Sequence, residues 1–459
     1  MHKIEHAADA VIRSERNLIS STNTMLVEFK VANFRSFKEE QVFSLVASKD
    51  ETHPGNLINT KKFNLLKTAA IYGQNASGKS NFISAVRFVE RFVGGSATKM
   101  NQGDPIPSLA PFRLDRQSKA KPSCFQLIVL IGEALYDYNF SATSEKVHDE
   151  SLKVRLANSK REQVWLKREF DSRTRETKWW FGGPLTGDEK LLREKTRDNG
   201  LVLSRGAELN IKALSELFLW FRNKLYFYDL SSPPIGLVVS AAGRLKENKA
   251  FGAMLSNMIR DADIGIDRIK VAERNTQVED IPSEIREGMP EKILKSFLAH
   301  KAFSINAIHH VTPSDAEEEF DFMEDESNGT KRFFALAGVI LVALKTGRTM
   351  VVDEIECSMH PNLVRKLVEL FQSPKANNKG AQLIFATHDS TLMDQTLLRR
   401  DQIWLVEKNK NGASQLRSLY DFAPDERPRN TEAFQRNYLA GRYGGVPKFG
   451  PIFEDFELK

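Results

Sequence analysis

Residues 66–82 read LKTAAIYGQNASGKSNF, and within them Gly73–Ser80 fits the pattern G-x4-G-K-S. A strand-like run precedes this glycine-rich turn, and apolar residues recur at helical spacing after it. A loop that turns tightly around phosphates and aims backbone N–H groups at them needs glycine at both ends. The order strand, turn and helix therefore predicts a phosphate-binding loop, and it disfavours an ordinary glycine-rich turn.

Each position of this loop has an expected task. Lys79 would neutralise the charge of the β- and γ-phosphates, and the Ser80 hydroxyl would ligate Mg²⁺. The backbone amides of the loop and of the first helical turn would surround the phosphates. The predicted nucleotide-binding residues of this segment are Gly73, Gln74, Asn75, Ala76, Ser77, Gly78, Lys79, Ser80 and Asn81.

Two further buried strands are each predicted to end in a chemically competent side chain. The apolar run 349–354 ends in two acids, Asp353 and Glu354, and the apolar run 382–389 contains His388 just after its last apolar residue. Asp353 would hold Mg²⁺ and Glu354 would polarise an attacking water, since phosphoryl transfer needs a positioned nucleophile. At the carboxyl edge of a parallel sheet, His388 would reach the γ-phosphate. For an isolated histidine a local structural role would be the simpler interpretation, but the order of the motifs favours the functional one.

A fourth segment, Glu326–Arg332, lies directly before an apolar helical run. Its Ser327, Asn328 and Gly329 would sit at a helix N-terminus, which is a second place where an anion can bind. On local grounds alone, an ordinary serine or threonine helix cap is the preferred interpretation of this segment.

Strand and helix alternate through the last third of the chain, which predicts a parallel sheet covered by helices. Residues 124–142 instead read as an antiparallel hairpin joined at Gly132-Glu133. The predicted fold class is α/β, a P-loop NTPase with a mixed sheet flanked by helices, an antiparallel β subdomain and an inserted helical lobe. The predicted bounds are 1–24 for an N-terminal extension without fixed structure, 25–145 and 301–459 for the two halves of the nucleotide-binding domain, and 146–300 for the inserted β and helical lobe.

The composition indicates a cytoplasmic protein. The 459 residues carry 66 Lys and Arg against 60 Asp and Glu, a net charge of +6, which permits a nucleic-acid partner without requiring one. No apolar run of about eighteen residues or more occurs and the N-terminus has no apolar signal-like segment, so we expect no membrane association. Cys124 and Cys357 both lie in apolar settings, so we expect two buried thiols in a reducing compartment.

Taken in order, the four motifs resemble those of an ABC-type ATPase of the branch that contains RecF, SMC and OLD proteins. In that branch an NFRSF sequence, here Asn33–Phe37, precedes the phosphate-binding loop. The run Asp353–Pro361, DEIECSMHP, resembles the DEIExxxHP segment of the group, and Glu354 and His388 match its catalytic glutamate and switch histidine. Arg35 matches an N-terminal basic position that the branch uses for the nucleotide.

Two other segments refine this resemblance. ESNGT resembles the ABC signature, with Ser327 and Gly329 matching its serine and second glycine, and its departure from LSGGQ argues against a transporter subunit. The segment Tyr438–Pro447, YLAGRYGGVP, resembles the tail of the RloA/AbiL-type ATPases of two-gene anti-phage systems. The resemblance implies ATP and Mg²⁺ as ligands. It also implies a homo-oligomer, at least a dimer, in which the signature serine of one copy caps the nucleotide held by another.

Three classes of function follow from the resemblance. The first is the ATP-hydrolysing sensor of an anti-phage defence complex, with a separately encoded nuclease or toxin effector as partner and DNA or a phage protein as further candidates. The second is a RecF-like repair ATPase that binds duplex DNA. The third, an OLD-type nuclease, needs a metal-binding acid cluster after the ATPase, and the 71 residues after His388 contain no DxD sequence. We therefore favour the first class over the second and reject the third.

Overall fold

The structure is a computed structural model, and it describes residues 23–447 except for 158, 160, 231–233, 263, 276–277, 279–300 and 312–315. The predicted N-terminal extension, 1–24, lies outside the described residues apart from its last two, and so does part of the predicted inserted lobe. The chain divides into two units. The larger unit takes its described residues from 23–229, 343–356 and 368–447, and the smaller unit takes its described residues from 230–342 and 357–367.

Strands and helices alternate along much of the described chain. The strands are β1 (Thr24–Ala32), β2 (Gln41–Ser44), β3 (Leu57–Asn59), β4 (Asn64–Leu66), β5 (Thr68–Tyr72), β6 (Ser123–Ile131), β7 (Ala134–Ala142), β8 (Val147–Arg155), β9 (Gln163–Asp171), β10 (Glu176–Phe181), β11 (Leu225–Asp229), β12 (Arg268–Asn275), β13 (Lys301–Val311), β14 (Ala316–Asp321), β15 (Thr349–Asp353), β16 (Gln382–Ala386), β17 (Ile403–Lys408) and β18 (Ser414–Ser418). The α-helices are α1 (Lys79–Gly95), α2 (Arg116–Ala120), α3 (Glu189–Lys195), α4 (Val202–Glu208), α5 (Lys212–Asn223), α6 (Ile235–Glu247), α7 (Lys249–Asp261), α8 (Asn328–Thr346), α9 (Pro361–Gln372) and α10 (Phe434–Leu439).

The larger unit contains a six-stranded sheet in the order β11-β15-β16-β5-β17-β18. Neighbouring strands run parallel except for β17 and β18, which are antiparallel. Strands β5 and β16 are buried along their whole length, as expected of central strands in a sheet that is covered on both faces. Because parallel strands end at one edge of a sheet, the segments that follow β5, β15 and β16 come together there.

A second, seven-stranded sheet of the larger unit has the order β10-β9-β8-β7-β6-β1-β2. Its strands pair antiparallel throughout, and β6 and β7 form the hairpin predicted for 124–142. Helix α1 packs against this sheet through phenylalanines. The ring centroid of Phe88 lies 4.9 Å from that of Phe125, and the centroid of Phe92 lies 5.6 Å from that of Phe140. This aromatic core fixes α1, whose first residue is Lys79.

The smaller unit combines helices α6 and α7, the three-stranded sheet β12-β13-β14 and the first part of α8. Small residues allow its elements to approach closely. A Cβ placed on Gly338 of α8 would lie 2.7 Å from the Cβ of Ala241 in α6, so glycine is required at this crossing. A Cβ on Gly243 would lie 3.3 Å from the ring of Phe303 in β13.

The predicted α/β fold class is confirmed, while the domain bounds stay a prediction. The expectation of two buried thiols is wrong, because Cys124 is exposed and Cys357 is half-buried. Side chains alternate along β6, and Phe125 and Leu127 occupy its inward positions, so Cys124 faces outward. Among the described helices, none is long and apolar enough to cross a membrane.

Candidate functional site

The loop between β5 and α1 is shaped by its two glycines. Gly73 has φ 153° and Gly78 has φ 123°, a region of backbone space that residues with a Cβ rarely occupy. A Cβ on Gly73 would collide with the carbonyl oxygen of Val406, and one on Gly78 would lie 2.5 Å from the Ser414 hydroxyl. The predicted need for glycine at both ends therefore has a second cause besides the turn itself, which is the close approach of strands β17 and β18.

Neighbouring segments hold this loop in place through serine and asparagine side chains. The Ser414 hydroxyl donates to the carbonyl of Ser77 at 2.5 Å, and the Ser414 amide donates to the carbonyl of Ser36 at 2.7 Å. The Asn81 side chain donates to the Ser36 hydroxyl at 2.8 Å. The segment Asn33–Phe37 thus lies against the phosphate-binding loop, although nearly forty residues separate the two in sequence.

Arg35 has a left-handed backbone conformation and an exposed side chain. Its φ is 50°, in the left-handed region, and its amide donates to the carbonyl of Ala110 at 2.7 Å. Its guanidinium carbon lies 5.7 Å from the centroid of the Phe34 ring. Ser36, the next residue in the chain, is hydrogen-bonded to Asn81 of the predicted nucleotide-binding segment. Arg35 is therefore the direct sequence neighbour of a residue that contacts this segment.

Lys79, the first residue of α1, is almost fully buried. Its ammonium donates to the carbonyls of Gly73 at 2.7 Å and Gln74 at 3.3 Å, and lies 3.5 Å from Nδ1 of His388. Burial lowers the pKa of Lys79 to about 8, and the carboxylates of Asp353, Glu356 and Glu354 oppose this shift. The Lys79 ammonium therefore lies between the phosphate-binding loop and the acids that follow β15.

The acids at the end of β15 face this cation. Burial raises the pKa of Asp353, while the Ser80 hydroxyl, within hydrogen-bonding reach of the carboxylate, opposes the shift. Glu354 is half-buried and has φ 51°, an uncommon backbone conformation for a residue with a side chain. The Ile355 amide donates to the carbonyl of Ala386 at 3.2 Å, which ties the segment after β15 to the end of β16.

His388 lies just beyond β16 and its side chain is exposed. Its backbone amide donates to Oε1 of Glu356 at 2.6 Å. The structure thus brings together the predicted residues Lys79, Asp353 and His388, and it adds Glu356 as the side chain that links the last two segments. Glu356 belongs to the DEIExxxHP run, and from the sequence it is the first alternative to Glu354 as the catalytic acid.

The residues at this edge fit a Mg²⁺–nucleotide complex. Within the described part of the chain, Oδ1 of Asp353 and the hydroxyl of Ser77 are buried and accept or donate no hydrogen bond. Buried polar atoms need a partner. Both of these atoms are oxygens, and oxygen is the ligand atom that Mg²⁺ and its bound waters accept as a neighbour. The described residues contain no group of three or more His, Cys, Asp or Glu suited to a metal ion. Ser80 and Asp353 are the predicted Mg²⁺ ligands, and Mg²⁺ in nucleotide sites commonly takes one or two protein ligands and completes its shell with substrate phosphates and water.

The signature-like segment belongs to the smaller unit, at the start of α8. The Ser327 hydroxyl accepts a hydrogen bond from the Thr330 amide at 3.1 Å, which is the helix-cap geometry that the local sequence predicted. A Cβ on Gly329 would lie 2.5 Å from the carbonyl oxygen of Ser358, so this position requires glycine. Glu326, which opens the segment, accepts a hydrogen bond from Nε2 of His309 at 2.8 Å. Asn328 is the first residue of the helix.

The tail segment Tyr438–Pro447 also approaches the phosphate-binding loop, which the sequence did not indicate. Tyr443 is 1% exposed, and Arg442 forms an ion pair with Glu432 at 2.8 Å. The sequence leaves open whether Arg442 and Tyr443 bind a partner or pack the tail, and the burial of Tyr443 shows that it packs. The buried ring of Tyr438 lies 5.9 Å from that of Tyr72, measured between centroids.

One family model matches the part of the chain that contains this site. A family model described as "AAA domain, putative AbiEii toxin, Type IV TA system" matches residues 69–394, a range that includes the loop, the acids after β15 and His388. A search of curated proteins finds no match.

Several solved structures show a remote similarity. The SMC head bound to the C-winged helix domain of ScpA has 14% identity and a TM-score of 0.38, over 86% of this chain and 97% of that chain. The SMC head domain from Thermotoga maritima has 15% identity and a TM-score of 0.36, over 86% of this chain and 98% of that chain. The recombination mediator protein RecF-ATPrS has 16% identity and a TM-score of 0.33, with the same two coverages of 86% and 98%. At such scores the likeness does not bear on function. The family match, by contrast, spans well over half of the 459 residues, and the chain therefore belongs to this AAA-domain family.

Proposed function

We propose that the protein is an ABC-type ATPase that binds Mg-ATP and hydrolyses it to ADP and phosphate. One observation carries the proposal: Lys79, Asp353, Glu354 and the His388 segment meet at the carboxyl edge of one parallel sheet. A cation, a buried carboxylate and an exposed histidine are the groups that phosphoryl transfer uses for positioning and charge stabilisation.

Each residue has a defined part in this proposal. The amides of residues 73–80 and the ammonium of Lys79 hold the phosphates, and Ser80 and Asp353 hold Mg²⁺, which when bound neutralises charge on the phosphate oxygens. Glu354 orients a water whose oxygen bonds to the γ-phosphorus as the bond to the β–γ bridging oxygen breaks. The proton of that water passes towards Glu354 and then to the released phosphate. His388 donates a hydrogen bond to the γ-phosphate.

We further propose that two copies complete the site, with Ser327, Asn328 and Gly329 of one copy capping the nucleotide of the other. Support comes from the position of Ser327 and Gly329 at the start of an α-helix of 19 residues, where the backbone dipole favours an anion. Arg35, which precedes the loop-bonded Ser36, is proposed as an additional nucleotide contact.

The biological setting is proposed as anti-phage defence, in which the protein senses infection and controls a separately encoded nuclease or toxin. The match to a family whose description names a type IV toxin–antitoxin system supports this setting, as does the resemblance of Tyr438–Pro447 to the RloA/AbiL-type tail. The second candidate is a RecF-like ATPase that acts on duplex DNA, which the net charge of +6 permits. Stimulation of ATP turnover by duplex DNA, lost on raising the salt concentration, would favour the second candidate over the first.

The test of the ATPase is a comparison of the wild-type chain with Lys79→Ala. Nucleotide binding measured by calorimetry should be lost in the variant, because glycine amides alone do not balance the charge of a triphosphate. Lys62→Ala, which removes an exposed lysine elsewhere in the larger unit, is the matched control and should bind as wild type does. Near-normal ATP affinity of Lys79→Ala would overturn the assignment of this loop.

A further inference from the structure

The end of the described chain forms a small folded segment, Glu432–Val446, that closes on itself. Arg442 pairs with Glu432 at 2.8 Å, and the Asn437 side chain donates to the Tyr443 hydroxyl at 3.0 Å. Arg417 of β18 donates to the Tyr443 carbonyl at 3.1 Å. These bonds join helix α10 to the turn that follows it and attach both to β18.

This segment contacts the residue at which the phosphate-binding loop begins. Tyr438 packs on Tyr72, the last residue of β5, and its hydroxyl donates to the carbonyl of Gly445 at 3.1 Å. A Cβ placed on Gly445 would lie 3.7 Å from the Cα of Gly73, so the two glycines are close neighbours. The Gly445 amide donates to Oε2 of Glu407 at 3.2 Å, which fixes the turn to β17.

The surroundings of Tyr438 include the first residue of the loop. Burial raises the pKa of Tyr438, and the Gly73 amide opposes that shift. Gly73 in turn has its carbonyl bonded to the Lys79 ammonium at 2.7 Å. A displacement of Gly73 would therefore move both the opening amide of the loop and the carbonyl that orients Lys79.

We propose that Tyr438 is a positioning residue for phosphate binding: its ring and hydroxyl hold Gly73 in the conformation that the loop needs. It acts through Gly73 and Gly445, and touches no phosphate itself. The inference rests on the proposed function, because it assigns a task to Tyr438 only if Gly73–Ser80 binds a nucleotide. It also gives a role to part of a tail segment that motif analysis had left without one.

The test compares Tyr438→Phe, which keeps the ring and removes the hydroxyl, with Tyr438→Ala, which removes both. Leu439→Ala is the control, because Leu439 is the next residue of α10 and is 62% exposed. For each variant the Kd for a fluorescent ATP analogue, the KM and kcat for ATP, and the Tm without nucleotide are measured. We expect a Kd and KM about three- to tenfold higher for Tyr438→Phe, the scale of one hydrogen bond. The kcat should stay within about twofold, because the phosphates are held alike in the ground and transition states.

A merely structural role would give a different pattern. Tyr438→Phe would then lower the Tm while leaving Kd and KM at wild-type values well below that Tm, and this result would overturn the inference. A larger rise of Kd in Tyr438→Ala than in Tyr438→Phe, with Leu439→Ala unchanged, supports it. If the wild-type protein itself binds no nucleotide, the proposed function is overturned together with this inference. That failure is seen in the wild-type protein alone, whereas failure of the inference only is seen in the comparison of the variants.

Discussion

The carboxylate of Glu356 accepts a hydrogen bond from the backbone amide of His388, with 2.6 Å between the two atoms. The bond joins the segment after β15 to the segment after β16, so one acid of the DEIE run orients the histidine of the next strand. We expect Glu356→Ala to lower kcat by about tenfold or more, because the segment after β16 then loses a hydrogen bond to a charged acceptor, which is worth about 1.5–3 kcal/mol. Glu356→Gln keeps an acceptor oxygen and should retain kcat within about threefold. A Gln variant as inactive as the Ala variant would show that the charge of Glu356 takes part in the chemistry.

Substitution of Glu354 separates binding from hydrolysis. Glu354→Gln keeps the size of the side chain and removes the charge that polarises water, whereas Lys79, Ser80 and Asp353 are unchanged. ATP affinity should be kept or improve, and turnover should fall by roughly 10²-fold or more. Sedimentation with and without Mg-ATP should show ATP-dependent association of the variant, because its site is complete but does not react. Normal ATP hydrolysis by Glu354→Gln would assign the role of catalytic acid to another residue. A variant that is inactive but does not associate with Mg-ATP would contradict the two-copy site and leave the role of Glu354 in hydrolysis intact.

Ser327→Arg tests the capping of one copy's nucleotide by another. A long cation at the start of α8 should obstruct the partner's γ-phosphate, so turnover should fall by about 10²-fold or more while each monomer still binds ATP. Ser327→Ala is the control, since it removes the cap to the Thr330 amide and is expected to cost about 1 kcal/mol of stability without adding bulk. Hydrolysis by Ser327→Arg at the wild-type rate would contradict the capping of a partner's nucleotide, and Ser327 would then act only as a helix cap.

The buried ammonium of Lys79 predicts a pH dependence of ATP binding. Its pKa is lowered to about 8 in the free protein, and bound phosphates favour the protonated form, so binding takes up a proton above that pH. Affinity should be constant below about pH 8 and then fall by up to tenfold per pH unit. Titrations from neutral pH to pH 9.5 would show the break. Lys79→Arg stays charged throughout this range and should remove it. A wild-type affinity that is constant up to pH 9.5 would contradict the role of a Lys79 proton.

The sequence predicted those parts of the fold that depend on local pattern. Gly73–Ser80 lies between a buried strand and a helix, and the apolar runs before Asp353 and His388 are both central parallel strands. The strand order could not be predicted, because no local sequence pattern indicates that β5 lies between β16 and β17. The exposure of Cys124 was mispredicted for a related reason, since an apolar neighbourhood does not say to which face of a sheet a strand residue points.

Side chains that support the site were harder to predict than those that would react. Ser36, Ser414 and Tyr438 each contact the phosphate-binding loop, and they come from the two ends of the chain. Such contacts arise from tertiary packing, which cannot be predicted from the periodicity or residue spacing of one sequence. The NFRSF resemblance did indicate the segment around Ser36. Tyr438 lay within a recognised tail whose packing partner no motif named.

The order of strands in the six-stranded sheet also bears on how the protein is made. Strand β5, which carries the phosphate-binding loop, has β16 and β17 as its two neighbours, and both lie more than 300 residues later in the chain. At about 5–20 residues per second, the ribosome needs on the order of 15–60 seconds to deliver them after β5 has emerged. During that interval the backbone N–H and C=O groups of β5 have no partner strand, so the nascent chain is open to wrong pairing and to chaperones. A nucleotide site at this loop could therefore form only after β17 has been synthesised, and a chain released before that point would carry an intact GQNASGKS sequence without a site.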